Sequence, residues 1–380
     1  MTEALWGWPP PVLDPAGPYA ESVTVLAWVL FAMGVLVTGI VVAALWIALK
    51  GPDRLKAKIG GERTIWIGGI AFPAVVLTAL LIWGLMLTAS LTRPITGEEM
   101  RIRVTGEMWW FRVQYLDPQG EVWMEDANEI HIPVGEPVVL ELTSADVIHS
   151  LWVPNLSGKK DMIPGRTTLL RIEADRAGRY GGVCAEYCGG PHALMGFVAV
   201  AHEPAEWAEW LAARRAGASE VAAAEGRIDL PGALPVAEGP LAVPPGDDAA
   251  RGRELFMEAG CGACHRVAGT EANGLAGPDL TYVGSRLTLG AGILPNHRGT
   301  LIGWIGDSQS IKPGNRMPSY DVLPAEDIHA IAAWLEQQRR APKRASTPGC
   351  TSASRFRRSA PTRNTRNSSA SGPRRAGGSD

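Results

Sequence analysis

CAEYCGGPHALM, Cys184 to Met195, places two cysteines, a glutamate, a histidine and a methionine within twelve residues. A disulfide between Cys184 and Cys188 is open to a chain outside the cell membrane. It leaves His192 and Met195 unexplained. Zinc accepts two thiolates and an imidazole but has no use for a thioether. Thiolate, imidazole and thioether together select copper, above all at a site that cycles one electron. A further strong ligand has to come from elsewhere in the chain. His149, at the end of the strand-like run VVLELTSADVIHS, is the candidate. A lone histidine there reads as a core or rim residue, and it is the cysteine motif that turns it into a candidate ligand.

The rest of the chain gives that motif its setting. The 380 residues carry a net charge of −3, but residues 341–380 hold nine Lys/Arg against one acid, about +8, which leaves about −11 for the remainder. An acidic body speaks against nucleic acid and for a basic protein partner steered by charge. The tail is rich in Ser, Arg, Gly, Pro and Thr, has little to bury and is expected to be disordered. Besides the lone Cys350 in that tail, the cysteines come as two close pairs, Cys184 with Cys188 and Cys261 with Cys264. Close pairs with neighbouring histidines point to cofactor sites rather than to a disulfide scaffold.

Val23 to Leu49 contains no charged residue and is long enough to span a bilayer as a helix. Thr64 to Thr92 is a second such run, with Pro73 tolerated as a kink. The loop between them holds Lys50, Arg54, Lys56, Lys58 and Arg63, whereas no Lys or Arg precedes the first run. The positive-inside rule therefore puts the loop in the cytoplasm and both ends outside, and the start lacks the basic region of a cleaved signal peptide. Downstream, Met100 to Tyr115, Glu129 to Pro133, Pro137 to Thr143 and Thr167 to Ile172 have strand character, punctuated at DPQG, PVGEP and IPGR. That pattern predicts a small antiparallel β-sandwich or barrel ending near Ala201. EPAEWAEWLAARRA predicts an amphipathic helix and Leu230 to Gly246 a Pro-rich linker. DAARGRELFMEAG and PAEDIHAIAAWLEQQRR predict helices on either side of a second site.

In that second site, Cys261-Gly-Ala-Cys264-His265 is a c-type haem attachment motif. The two thiols bind the haem covalently and His265 becomes an axial iron ligand. A zinc reading needs a second ligand pair, which the chain does not supply. Met317, in KPGNRMPSY, is the preferred second axial ligand and His297 its competitor, because the RMP context resembles class I cytochromes c. GPDL, Gly277 to Leu280, also resembles that family, in which Pro278 would lie beside the proximal imidazole.

His149-Ser150 followed by Cys184-x-Glu186-x-Cys188-x-x-x-His192-x-x-Met195, with WVPNLSGKKDMIPGR between, resembles the copper A site of cytochrome c oxidase subunit II. The two-span hairpin belongs to the same likeness, which covers Glu21 to about Ala201. The resemblance implies a cupredoxin-type barrel in which the Cys184 and Cys188 thiolates bridge two coppers. His149 and Met195 complete one copper, and His192 with the backbone carbonyl of Glu186 the other. The Glu186 side chain is implied as a magnesium ligand at the interface with subunit I, a role that suits a hard carboxylate. In TGEMWWFRVQY, Trp109 matches the tryptophan at which electrons arrive, with Phe111 where many members have a third tryptophan. Such aromatics otherwise read as core or membrane-surface residues. Glu62 lies near the family's proton-path glutamate but at a different spacing, and reads equally as a solvated loop acid.

The expected division is an N-terminal segment at 1–21, a transmembrane hairpin at 22–93 and a cupredoxin-like copper domain at 94–203. A helix and linker at 204–246, an all-α cytochrome c domain at 247–341 and a disordered basic tail at 342–380 follow. With its fused haem domain the chain resembles subunit II of a caa-type, proton-pumping terminal oxidase in a bacterial plasma membrane. Electrons would pass from an external cytochrome c or a quinol–cytochrome c reductase to haem c, to copper A, and on to subunit I among the other oxidase subunits. A copper-A nitric oxide reductase subunit and a membrane-anchored copper-delivery protein are the competing readings. Met195 and the haem domain disfavour the second, and the copper ligands exclude a quinol oxidase subunit.

Overall fold

The computed structural model describes residues 9–92, 97, 99–224 and 247–339. The expected linker at 230–246 and the basic tail with Cys350 lie outside the described residues. Helix α1 (Pro18–Lys50) begins with proline in its first turn, where the missing N–H costs nothing, and stops at Gly51. It is apolar all round, and Phe31, Leu36 and Trp46 are all more than half exposed. Such a surface is stable only in lipid or inside a large core. A short basic helix, α2 (Asp53–Ile59), leads to α3 (Glu62–Leu91), the second helix long and apolar enough to cross a membrane. The irregularity expected at Pro73 takes the form of a π-helical stretch just before it, Trp66–Ala71. Proline lacks the N–H for the preceding turn and its ring pushes on the carbonyl four residues back, so the ladder loosens there. Glu62 opens α3 with its side chain exposed.

Ten strands build a two-sheet sandwich: β1 (Met100–Glu107), β2 (Trp110–Leu116), β3 (Val122–Ala127), β4 (Glu129–Pro133), β5 (Val138–Ser144), β6 (His149–Trp152), β7 (Lys160–Met162), β8 (Thr168–Ile172), β9 (Gly178–Cys184) and β10 (Gly196–His202). One sheet runs β3-β2-β1-β5-β8 and the other β4-β10-β9-β6-β7. Period-two alternation explains β1, where Ile102 and Val104 point into the core while Arg101 and Arg103 face out to Glu141 on β5. The sandwich expected from the sequence is present, but its ladders are mixed. β1 pairs with β5, and β4 with β10, in parallel. Alternation fixes which face a residue takes, not the direction of the neighbouring strand. Phe111, Tyr115 and Phe197 fill the centre, with the Phe111 and Phe197 rings edge-on at 5.0 Å.

Every residue of β4 is buried, because a helix and a second domain cover its outer side. The helix is α4 (Pro204–Ala224), whose Trp210 stacks on His131 at 4.6 Å and on Trp207 at 5.1 Å. The second domain contains α5 (Asp247–Glu258), the short ribbon β11 (Thr288–Leu289) and β12 (Leu294–Pro295), then α6 (Arg298–Gly306), α7 (Ser308–Ile311) and α8 (Ala325–Glu336). Helices α5 and α8 cross closely at Gly252, where a Cβ would fall 2.0 Å from the Ala330 carbonyl oxygen. Phe256, Leu301, Ile305, Ile331 and Trp334 form this domain's core.

The helical domain is seated directly on the sandwich. Arg286 donates to Asp126 at 2.7 Å with both side chains buried. Glu129 accepts the backbone N–H groups of Leu287 and Thr288. Gly196 N–H donates to the Ala291 carbonyl at 2.9 Å, and Arg214 of α4 lies 4.1 Å over the Tyr282 ring. Salt bridges buried this completely are costly to leave half-made, so the seam fixes the orientation of the two domains.

Candidate functional site

The cysteine motif occupies the turn between β9 and β10, where His192–Leu194 forms a single 3-10 turn. Positive φ at Gly189 (84°) and Gly190 (26°) lets the chain fold back after Cys188. The two sulfurs stand 3.8 Å apart, too far for a disulfide. His149, at the start of β6, brings Nδ1 to 3.8 Å from Cys184 Sγ. His192 Nδ1 lies 3.4 Å and Met195 Sδ 3.8 Å from Cys188 Sγ. The Glu186 carbonyl oxygen is 3.3 Å from Cys184 Sγ. All five side chains singled out from the sequence therefore converge on one buried cradle. Among the described residues, His149, Cys184 and Cys188 are the one group of metal-competent side chains meeting within 4.8 Å.

Asp146 is the residue that the sequence reading missed. Its Oδ1 accepts from His149 Nε2 at 2.8 Å. A carboxylate accepts, so Nε2 carries the hydrogen and Nδ1 is aimed at the sulfurs, an orientation that suits a metal-bound imidazole. The three-residue spacing of Asp146 and His149 was the available signal.

The electrostatics of the cradle favour a cation. Burial opposes ionisation of Cys184, but His149 and the backbone at Ser150 and Glu186 outweigh it and bring this thiol down to about 6. Cys188 goes the other way, pushed up to about 12 by burial and then by the charge on Cys184. Two thiolates cannot share this space with only a proton between them and His149. A soft metal ion in the proton's place removes the conflict, so the donor set fits copper.

The Glu186 side chain is half-exposed, and its carboxylate lies 3.7 Å from Lys159 Nζ.

The second site is a cavity of about 330 Å³ whose lining includes Phe256, Cys261, Cys264, His265, Pro278, Leu301, Ile305 and Met317. Apolar walls with two thiols, an imidazole and a thioether fit a haem. His265 Nδ1 donates to the Pro278 carbonyl at 2.8 Å, which leaves Nε2 for the cavity. Burial lowers the pKa of this imidazole, keeping it neutral as a ligand must be. Gly277 is required by close approach, because a Cβ there would meet the His265 ring at 2.6 Å. His297 takes no part. It caps the start of α6, where its Nδ1 accepts from Thr300 N–H at 3.3 Å.

Trp109 belongs to both sites. It lines the haem-sized cavity, and its Nε1–H donates to the Cys188 carbonyl at 3.1 Å. Its neighbours do other work: Phe111 is core, and Trp110 packs with Ala127 and Ala291 at the seam.

Residues 104–202 match the family described as cytochrome c oxidase subunit II, periplasmic domain, and residues 249–339 match cytochrome c. The chain is 33% identical over 334 residues to cytochrome c oxidase subunit 2 of Alkalihalophilus pseudofirmus, covering 85% of this chain and 89% of that one. The chain belongs to the cytochrome c oxidase subunit II family. The subunit 2 of Bacillus subtilis is 26% identical over 304 residues, covering 75% of this chain and 78% of that one. Among solved structures, the periplasmic domain of subunit II of cytochrome oxidase of Bradyrhizobium japonicum is 30% identical. It covers 30% of this chain and 93% of its own, with a TM-score of 0.29. For a subunit II with a C-terminal cytochrome c domain, copper binding and haem c are the cofactors that the two domains imply.

Proposed function

We propose that this chain is the subunit through which electrons enter a proton-pumping terminal oxidase. They would come from an external cytochrome c or a quinol–cytochrome c reductase and leave for the haem–copper centre of subunit I, where oxygen is reduced. When bound, haem c and a binuclear copper A supply two one-electron carriers in series. Cys261 and Cys264 would hold the haem covalently, with His265 and Met317 on its axial positions. Cys184 and Cys188 would bridge the copper pair. His149 and Met195 would serve one copper, His192 and the Glu186 carbonyl the other, and the Glu186 side chain an interface magnesium.

The observation that carries this reading is the double contact of Trp109, which faces the haem-sized cavity and hydrogen-bonds the backbone of a cradle cysteine. Asp146 holds His149 in the tautomer that presents Nδ1, and the Pro278 carbonyl does the same for His265 with Nε2. Both imidazoles are thus oriented before any metal arrives. The two apolar helices would anchor the chain with the loop at Lys50–Arg63 in the cytoplasm and both redox domains on the outer face. The division into domains given from the sequence, with its linker and tail, forms part of the same proposal.

The test is Trp109→Leu in the purified oxidase. Copper and haem content should survive, since no ligand is touched. Flash photolysis should find transfer from haem to copper slowed far more than transfer from copper to the next centre. If both steps slow together, or neither changes while copper stays bound, Trp109 is a core residue and electrons cross elsewhere.

A further inference from the structure

The segment Lys312-Pro-Gly-Asn-Arg-Met317 does more than deliver a methionine to the haem cavity. Lys312 is 3% exposed, and its Nζ donates to the Trp109 carbonyl at 2.7 Å and to the Gly290 carbonyl at 3.0 Å. Four residues on, Arg316 reaches across the same seam to within 3.6 Å of Asp146, the carboxylate that orients His149. The Arg316 pair is exposed on the arginine side and worth little by itself. The Lys312 contacts are buried, and a buried ammonium held by carbonyl oxygens alone is a demanding arrangement.

We infer that Lys312 is a positioning residue for transfer between the two redox sites: from the haem domain, it fixes the backbone at Trp109 and so keeps the indole on the Cys188 carbonyl. This rests on the reading of Trp109 proposed above. Three restraints act on Trp109. Lys312 holds its carbonyl, the Cys188 carbonyl holds its Nε1–H, and Gly190 lets the ring approach the cradle loop, where a Cβ would fall 2.5 Å from Cζ2. On the preceding residue, Met108 N–H donates to Asp146 Oδ2 at 2.8 Å. Of these, the Lys312 bond alone spans the two domains. Burial brings the Lys312 ammonium down to about 7, as expected of a cation taken out of water. Crossing the seam moves one electron from the haem side to the copper side and makes or breaks no bond, so its rate depends on distance and contact. Tunnelling weakens as the gap widens, so a bridge that drifts from the cradle loop slows the transfer.

The experiment is Lys312→Met in the purified oxidase, a change that keeps the apolar stem and removes the donors. The expected result is unchanged copper and haem content, with haem-to-copper transfer slowed several-fold and the next transfer unaffected. Hydrogen–deuterium exchange should rise in the peptide spanning residues 106–112 and stay unchanged in residues 126–133 at the Arg286 seam. If the rate stays within twofold of wild type, the inference is overturned. It is equally overturned if both peptides lose protection, for then the lysine merely holds the domains together. Should Lys312→Met fail to accumulate, Lys312→Gln carries the same two measurements. The outcomes separate from those for Trp109→Leu. If that variant slows transfer and Lys312→Met does not, only this inference falls, and if Trp109→Leu has no effect the underlying reading falls with it.

Discussion

The copper cradle and the haem cavity hold their cofactor-competent side chains in opposite ways. The cradle is compact and polar: Cys184, Cys188, His192 and Met195 come from one turn, and only His149 arrives from a separate strand. Its donor atoms already lie within 3.8 Å of a neighbour. The haem cavity is apolar, and its four chemical groups are spread from Cys261 to Met317 over several elements. The difference follows from what each must offset. The cradle gathers groups that repel one another when ionised, so it needs a cation. The cavity exposes apolar surface, so it needs an apolar disc with a metal at its centre.

The largest expected effect tests whether the two sites are independent. On the proposed copper pair, Cys184→Ser should abolish the shared-copper spectrum, because one thiolate cannot bridge two metals equally, and should leave the haem untouched. On the proposed ligation by Met317, Met317→Leu should do the converse, leaving copper and haem in place while opening a coordination position and lowering the haem potential. Metal analysis with optical and paramagnetic spectra reads both. Loss of haem in the first variant, or of copper in the second, would contradict the comparison.

The next effect concerns the seam that joins the regions. Arg286 keeps Asp126 ionised against its burial and holds its pKa below the ordinary carboxylate value. Asp126→Ala leaves Arg286 buried without its partner, and such losses cost about 3–5 kcal/mol. Denaturant unfolding should show that loss while both metal contents stay near wild type at neutral pH. A change below about 1 kcal/mol would place the pair among those that contribute little.

The smallest effect is a pH slope beside the seam. His202 lies in a stack with His131, their nitrogens 2.8 Å apart. Burial, and then the neighbouring His131, bring it down to about 4 from the usual 6.5. A histidine depressed in the fold stabilises it fully above pH 6.5, and that contribution is lost as pH falls through about 4. His202→Gln should therefore flatten the decline in melting temperature between neutral pH and pH 5. An unchanged slope would assign the decline to other groups.

Much of the molecule could be read from residue order. The two apolar runs, the cysteine turn and the CGACH motif are local, and their chemistry is carried by residue type and spacing. Strand detection was partial: β1 and β2 were read as one run, β4, β5 and β8 were foreseen, and β3, β6, β7, β9 and β10 were not. Gly181, Gly182 and the charged run at Lys159–Asp161 mask the alternation in β9 and β7. The sequence also anticipated a haem domain on a linker, but not that this domain would lie on the sandwich.

By itself, then, the sequence determined which atoms are available: two thiolates, two imidazoles and a thioether for one site, and two thiols, an imidazole and a thioether for the other. It determined the two helices apolar enough for a membrane, because hydrophobic length is a property of consecutive residues. Only the tertiary structure decided that His149 joins the cysteines, that Met317 and not His297 faces the cavity, and that Asp126, Glu129 and Arg286 form a seam. The same is true of Lys312 meeting Trp109, 203 positions away in the chain. Such contacts depend on how two domains fit together, and burial gives their charges a strength that no spacing in the sequence encodes.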